Sequence, residues 1–170
     1  MPTPRYQLAV TVLDGKLHAI GGINDSLSFQ AHEVFDPSTG AWSSRASPPF
    51  GGPLAGATIG GKIYLVNSNY VWLQVYDPLT DSWTTHDTPL DQVQSAAVAL
   101  AGVFYVLGGL DSRLSTTDVV YRFEPETGTW GQVTPMPSRR ALPAVAVVGK
   151  SIYVISGWPG NAYNERYTLK

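Results

Sequence analysis

Residues 96–130 read AAVALAGVFYVLGGLDSRLSTTDVVYRFEPETGTW, and the fold follows from this stretch. Two apolar runs meet at the small-residue turn Ala101-Gly102, and the second run ends in the pair Gly108-Gly109. A polar loop then leads to a third apolar run, and a proline turn leads to Trp130. Each run has the length of a strand and is bounded by a turn signal. The stretch therefore predicts four strands in one compact unit.

Two landmarks recur along the chain at a nearly constant spacing. An aromatic–acid–proline triplet is followed five residues after its proline by Trp42, Trp83 and Trp130, so successive tryptophans are 41 and 47 residues apart. A hairpin glycine recurs in steps of 46, 41 and 47 residues, at Gly15, Gly61, Gly102 and Gly149. Repeats with a period in the forties indicate a solenoid, a propeller or an array.

The order of these landmarks identifies the repeat. A strand pair across a small turn, a glycine doublet, a polar loop, an aromatic strand and a tryptophan strand together resemble the kelch repeat, from Pro4 to about Tyr167. The Gly-His and Trp-Asp signatures of the WD repeat, which has a similar period, are absent. The resemblance implies an all-β chain folded as a β-propeller, with one antiparallel four-stranded sheet per repeat.

The chain is expected to form a single kelch domain, or a fragment of one, over residues 1–170. Its blades are expected at residues 1–49, 50–91, 92–137 and 138–170, and the fourth lacks its outer tryptophan strand, giving fifteen strands. A blade cannot bury its own two faces, so neighbouring blades must cover them. Three arrangements remain open: a closed ring of four blades, a larger ring shared by two associated chains, or a piece of a longer protein. Kelch rings commonly have six or seven blades, which favours self-association or a fragment.

Composition and charge exclude several classes of partner. Charged residues make up 14% of the chain, against roughly 25% for an ordinary soluble domain, as expected if sheets are buried on both faces. The net charge of −2 gives no general attraction to nucleic acid or to an anionic membrane. No apolar run approaches the length of a membrane span, and no signal peptide opens the sequence. We therefore expect a cytoplasmic protein with no nucleic-acid or membrane partner.

The sequence predicts no catalytic residue, metal or cofactor. Residues 56–62 match the spacing of a phosphate-binding P-loop, but Ile63 stands where the metal-binding Ser or Thr is required, so a hairpin turn is predicted. The chain has no cysteine, which excludes thiolate chemistry. His18, His32 and His86 hold unrelated positions in their repeats without a second ligand at metal spacing, and are expected to be exposed or capping residues.

The glycine doublet Gly21-Gly22 and its counterparts are expected to serve the backbone. Two adjacent glycines in a strand cost conformational entropy. Close approach of another chain segment, or a positive φ angle, is the expected reason for keeping them. A phosphate-binding role is not expected, because no helix follows.

The kelch resemblance also implies where a ligand would bind. Kelch domains that bind peptides contact them through the loops after the glycine doublet and through residues at the entry to the innermost strand. The loop candidates are Asn24, Asp25, Ser26, Asn69, Tyr70, Asp111, Ser112, Arg113 and Trp158. The strand-entry candidates are Arg5, Tyr6, Gln7, Gln92, Gln94, Arg139 and Arg140. If a ring placed the first and fourth repeats side by side, Arg5, Arg139 and Arg140 would suit an acidic ligand.

Two function classes are compatible with these candidates. The first is a non-catalytic interaction module for a protein or peptide partner, with a possible homodimer that completes a larger ring. The alternative is part of a sugar-active kelch enzyme resembling the sialic-acid mutarotases, or a carbohydrate-binding module. The repeat tryptophans and the strand residues Tyr64, Tyr105 and Tyr153 are predicted to pack between blades. Trp158 has no counterpart in the other repeats and is predicted to be exposed.

Overall fold

The computed structural model describes residues 1–67, 72–160 and 162–168 of the chain. Over these residues the secondary structure consists of fifteen β-strands in four antiparallel sheets, without a helix. No helix with the length and apolarity to cross a bilayer therefore occurs in the described part of the chain. The strands group into two compact units, residues 1–88 and residues 89–170, and each unit holds two sheets. Asn69 and Tyr70, two of the predicted loop contacts, lie outside the described residues.

The first unit contains the first and second sheets. The first sheet is formed in chain order by β1 (Ala9–Leu13), β2 (Lys16–Ile20), β3 (His32–Asp36) and β4 (Ala41–Ser44). The second sheet is formed in the same way by β5 (Leu54–Ile59), β6 (Lys62–Asn67), β7 (Trp72–Asp77) and β8 (Ser82–Asp87). The buried apolar residues of this unit include Ile20, Ile63 and Leu65.

The second unit contains the third and fourth sheets. The third sheet comprises β9 (Ala96–Leu100), β10 (Val103–Leu107), β11 (Val120–Glu124) and β12 (Thr129–Val133). The fourth comprises β13 (Ala144–Val148), β14 (Ser151–Ile155) and β15 (Asn164–Thr168). The predicted fifteen strands, with three in the last sheet, are confirmed.

Two-residue turns join the first two strands of every sheet. Asp14 and Gly15 both have positive φ, 51° and 72°, as the predicted hairpin turn requires. Gly60 and Gly61 form the corresponding turn between β5 and β6, so the hairpin interpretation of the P-loop-like segment is confirmed. The fourth hairpin differs by one position. Val148 pairs with Ser151, so Gly149 is the first residue of its turn, whereas Gly15 is the second.

Close approach and positive φ together explain the glycine doublet. Gly108 has a φ of 61°, and a side chain there would meet the Arg140 carbonyl oxygen at 2.5 Å. Gly109 has a φ of 113°, and its N–H donates to the same carbonyl at 2.8 Å. Gly22 in the first unit likewise donates to the carbonyl of Gly52 at 2.7 Å. The predicted backbone role is confirmed, because backbone of the adjoining sheet lies where a Cβ of Gly108 would be, and backbone of the same sheet lies where a Cβ of Gly109 would be.

The recurring tryptophans belong to a cross-strand ladder. In three sheets the aromatic residue of the triplet lies directly opposite the tryptophan of the next strand. The ring-centroid distances are 5.2 Å for Phe35 and Trp42, 5.1 Å for Tyr76 and Trp83, and 5.0 Å for Phe123 and Trp130. Such pairs are a main source of sheet stability. These pairs lie within one sheet. The predicted packing between blades is confirmed for Trp83, whose indole packs 5.7 Å from the ring of His32 in the first sheet.

Candidate binding surface at the loop ends of the sheets

We call the loop end of a sheet the end at which its first strand begins and its second strand leaves for the glycine doublet. In three sheets two backbone segments pair there. Tyr6 and Ile23 exchange two N–H···O bonds of 2.9 Å, and Val93 and Leu110 exchange bonds of 2.8 and 2.7 Å. Ala141 and Trp158 exchange bonds of 3.1 and 2.8 Å. The two predicted groups of contacts, strand entry and loop, therefore lie side by side in each of these sheets.

A polar side chain shapes the loop in the first and third sheets. The Asn24 side-chain oxygen accepts the N–H groups of Ser26 and Leu27 at 3.1 and 2.9 Å. Asp111 occupies the same place after its doublet. One of its carboxylate oxygens accepts the N–H groups of Ser115 and Arg113, both at 2.9 Å. These hydrogen bonds lower the pKa of Asp111, because they stabilise its charged form.

Each of these loops exposes a leucine at the same step, three residues after its Asn or Asp. Leu27 is 61% exposed and Leu114 is 71% exposed. Neither leucine was predicted from the sequence as a contact. The available signal was an apolar residue at a matching position in two otherwise polar loops. Asp25, Ser26, Ser112 and Arg113 are exposed beside them, so these candidates lie where a ligand can reach them.

The fourth sheet presents larger side chains at its loop end. Trp158 is 57% exposed, which confirms the prediction made for it. Leu142 and Tyr163 are also exposed. The backbone brings the groups together, because Ala141 pairs with Trp158 and the N–H of Ser156 donates to the Tyr163 carbonyl at 3.0 Å.

Arg5 is not a surface residue, in contrast to its assignment as a contact. Its guanidinium is buried, with Nη1 2.6 Å from Glu33 Oε2 and Nη2 donating to the Ala19 carbonyl at 2.9 Å. Burial opposes the charge of Glu33, but hydrogen bonds from Arg5 and Thr3 outweigh it and lower the pKa of this carboxyl. Buried contacts of Arg5 thus connect the strand entry of the first sheet to β3.

Arg140 has the same internal role in the fourth sheet. Its side chain is buried, Nη2 lies 2.8 Å from Glu165 Oε1, and Nη1 donates to the carbonyls of Ser156 and Tyr163 at 3.1 and 3.2 Å. Glu165 in β15 occupies the position of Glu33 in β3. The glutamate at this position of the third strand was the signal in the sequence that Arg140 is buried beside it. Ligand contacts by Arg5 and Arg140 therefore do not fit their burial, and of the predicted arginine cluster only Arg139 is exposed.

The remaining strand-entry candidates differ in exposure. Tyr6 and Gln7 are exposed, whereas Gln92 is buried and Gln94 is half-buried. Gln7 and Gln94 have the same unusual backbone, with φ of 55° and 56°. Their carbonyls accept the N–H groups of Leu54 and Leu142 at 3.1 and 2.9 Å. Arg139 Nε lies 3.8 Å from Asp118 Oδ1 in an exposed ion pair.

His18 and His32 are buried together in the first unit, so the expectation of exposed or capping histidines is wrong for these two. His18 lies opposite Val34, two residues along β3 from His32, so both side chains are on one face of the sheet. His18 Nδ1 lies 2.8 Å from His32 Nε2. The ring of His32 packs edge-on against Tyr76, with 4.7 Å between the centroids. Burial lowers the pKa of His18, and that of His32 to about 4.

His18 and His32 are both neutral and form a chain of hydrogen bonds that ends at the Ala46 carbonyl. His32 Nδ1 lies 3.1 Å from the Ala46 carbonyl, to which it must donate. Neutral His32 therefore accepts at Nε2, and His18 donates to it from Nδ1. No group of three or more His, Cys, Asp or Glu side chains suited to a metal ion occurs in the described part of the chain.

Comparison with known proteins agrees with the repeats, the doublets and the aromatic ladder. Family models described as Kelch motif match residues 4–49 and residues 93–137. The chain belongs to the kelch-repeat family. Its four sheets are blades of a kelch β-propeller, and the fold expected from the sequence is confirmed.

Individual relatives are similar over most of this chain. Kelch-like protein 26 of Danio rerio is 31% identical over 93% of the chain, and beta-scruin of Limulus polyphemus is 27% identical over 99%. A solved structure described as the structure of YjhT covers the whole chain with a TM-score of 0.79 at 17% identity. The chain spans 28% and 14% of the two relatives and 66% of YjhT. The activities of those whole proteins are therefore not assigned to it.

Proposed function

We propose that the chain is a non-catalytic interaction module whose loop ends bind a protein or peptide partner. One observation carries this proposal: Leu27, Leu114 and Trp158 are all exposed at loop ends that paired backbone holds in place. Isolated exposed apolar residues need no explanation. Three at the same end of their sheets, on loops that carry no core, are best explained by contact with a partner.

Rigid support makes such loops effective contacts. Ordering a mobile loop on binding costs free energy, and a loop already fixed by hydrogen bonds avoids most of that cost. Asn24 and Asp111 supply those bonds from their own side chains. Trp, Tyr and Arg are the commonest anchors at interfaces, and the loop ends offer Trp158, Tyr6 and Arg113 in exposed positions.

The fold family supports the proposal without naming a partner. Kelch-like protein 26 and beta-scruin carry repeats of this type, and the name of neither states a ligand. The chemistry of the loop ends favours a partner segment with apolar side chains, since the exposed anchors are apolar and the charges near them are mixed.

Self-association is a second proposal, carried by one face of the first sheet. Val10 and Val12 alternate along β1 and are exposed, as is Leu17 on β2. Val148 and Ile155 are exposed on the fourth sheet. Exposed apolar strand faces are typical of association surfaces. Light scattering after size exclusion tests this: a dimer that Val12→Lys converts to a monomer supports it, and a monomer at 100 µM contradicts it.

A peptide-display selection tests the binding function. The wild-type protein should enrich peptides, and the triple variant L27S/L114S/W158S should not retain them. Leu79 lies in the turn between β7 and β8 and is 93% exposed, so Leu79→Ser is the matched control for removing an exposed leucine. A glycan array on the same proteins addresses the sugar-binding alternative. Enrichment that survives the triple variant, or glycan binding without peptide binding, would contradict the proposal.

A further inference from the structure

A polar cavity lies between the first and second sheets, at the end opposite their loop ends. Its volume is about 200 Å³, which is enough for an oxyanion the size of phosphate. Asp14 and Lys16 line it from the start of the first hairpin, and Tyr76 lines it from β7. His18 and Arg45 complete its polar lining. All of these residues belong to the first unit, so both walls of the cavity lie within one compact unit.

The repeat itself does not require two of these side chains. His18 has a tyrosine counterpart in each of the other three sheets. Arg45 lies three residues after Trp42, where the second and third sheets have His86 and Val133. The first sheet therefore combines an imidazole with a guanidinium that the shared fold does not explain.

The hydrogen bonds of the histidine pair determine what His18 offers to this cavity. His32 donates from Nδ1 to the Ala46 carbonyl, so its Nε2 accepts from His18 Nδ1 at 2.8 Å. A neutral imidazole with its proton on Nδ1 has a lone pair on Nε2. Because Nδ1 is bonded to His32, Nε2 is the ring nitrogen of His18 that is left for a ligand. His18 therefore offers a hydrogen-bond acceptor, and not a donor, to the cavity.

Two cations line the same cavity. Lys16 Nζ lies 2.8 Å from Asp36 Oδ2, and this pair leaves the ammonium group further N–H donors. Arg45 is exposed and has no ion-pair partner in the described part of the chain. Ammonium and guanidinium groups are common partners of oxyanions. Burial, aided by both cations and opposed by Asp14, lowers the pKa of His18, so its ring is neutral at pH 8.

We propose that this cavity binds a small oxyanion that still carries an O–H group, with hydrogen phosphate as the fitting example. Lys16 and Arg45 contact its charged oxygens, and its O–H donates to His18 Nε2. Sulfate and the dianion of a phosphate monoester have no proton to donate at pH 8. They would place an anionic oxygen against the lone pair of His18, which costs binding free energy in a buried site. The carboxylate of Asp14 is a second acceptor that disfavours an anion without a proton.

Calorimetry at pH 8 and constant ionic strength tests the proposal with inorganic phosphate, inorganic sulfate and methyl phosphate as probes. We expect saturable binding of phosphate, and binding of sulfate and methyl phosphate that is weaker by at least about tenfold. No saturation by phosphate up to 20 mM would overturn the proposal. Equal affinities for phosphate and sulfate would also overturn it, because they would show a general attraction of anions. Equal affinities for phosphate and methyl phosphate would do the same, because a monoester lacks the required proton.

Two lysine variants locate the site. Lys62 Nζ lies 2.8 Å from Asp77 Oδ2, in an ion pair that matches that of Lys16 and Asp36 but does not line the cavity. Lys16→Gln should weaken phosphate binding by at least about threefold, as expected for a partly exposed charge. Lys62→Gln should leave the affinity unchanged. Equal losses in the two variants would overturn the assignment of the cavity.

The variant His18→Tyr tests the source of the selectivity. Tyrosine is the residue of the other sheets at this position, and its O–H can donate to an oxyanion as well as accept. The preference for phosphate over sulfate should therefore fall to about twofold or less. A folded His18→Tyr variant that keeps the full preference would overturn the role of Nε2. If it does not fold, Arg45→Gln at an exposed position replaces it: a loss of phosphate affinity of at least about threefold supports the site, and unchanged affinity overturns it.

Discussion

His18 Nδ1 lies 2.8 Å from His32 Nε2 in the buried interior of the first unit. The other three sheets carry Tyr64, Tyr105 and Tyr153 at the position of His18. Leu73 and Val120 stand at the position of His32. The first sheet therefore contains a titratable pair where the second and third sheets have a tyrosine and an aliphatic residue. Arg45, Asp14, Lys16 and Asp81 are the charged groups that act on the pair.

Acid should destabilise the first unit through this pair. The pKa of His32 is lowered to about 4 in the fold, so the unfolded chain binds the proton first as pH falls below about 6.5. The stability contributed by the neutral histidine is thus present above pH 6.5 and is lost towards pH 4, by roughly 3 kcal/mol for this shift. Urea unfolding at pH 7.5 and pH 5, followed by tryptophan fluorescence, measures the loss.

The double variant H18Y/H32L is the control for that titration. It gives the first sheet the residues of its neighbours and removes both imidazoles. Its unfolding free energy should fall distinctly less than that of the wild type between pH 7.5 and pH 5. Equal losses in the two proteins would show that other groups cause the acid sensitivity.

The buried ion pair of Arg5 and Glu33 should be costly to break from one side only. Glu33→Leu leaves a buried guanidinium without its carboxylate, and we expect a loss of about 3–5 kcal/mol in unfolding free energy. The double variant R5L/E33L removes both charges and should recover much of that loss. Denaturant titration of the three proteins gives the comparison. A double variant as unstable as Glu33→Leu would refute the charge-burial explanation.

Gly108 and Gly128 have similar backbone angles, so replacing each by alanine distinguishes the cost of a left-handed backbone from the cost of steric overlap. Gly108 and Gly128 have φ of 61° and 68°, but only Gly108 has a neighbouring carbonyl where a Cβ would lie. Gly128→Ala should cost about 1 kcal/mol, from the left-handed backbone alone. Gly108→Ala should cost at least about 2 kcal/mol more, because the backbone around the Arg140 carbonyl must shift. Equal thermal shifts for both variants would contradict the role given to close approach.

The backbone plan could be predicted from the sequence because it depends on periodic signals. Turn glycines, the proline triplet and Trp42, Trp83 and Trp130 recur in register, and each has a local cause in turn geometry or cross-strand packing. Loop exposure at Trp158 followed from its lack of a counterpart. The fourth hairpin glycine, Gly149, lies in its turn as predicted, although it is the first and not the second turn residue, because a turn accepts glycine at either position.

The side-chain partners of the candidate site could not be predicted in the same way. Arg5 and Arg140 look like surface residues until strand pairing places Glu33 and Glu165 beside them. His18 and His32 are 14 residues apart, and only the register of β2 with β3 brings them together. Leu27 and Leu114 were not predicted, because an isolated leucine in a polar loop is not by itself a sign of a binding contact. Long-range strand pairing, rather than local pattern, decided the burial of the arginines and of the histidine pair.

The most direct test of the central claim is the affinity of a display-selected peptide for three proteins, measured by calorimetry. The triple variant L27S/L114S/W158S should weaken binding by at least tenfold relative to the wild type. Leu79→Ser, at the opposite end of its sheet, should bind as the wild type does. Unchanged affinity in the folded triple variant would contradict the assignment of the loop ends as the binding surface.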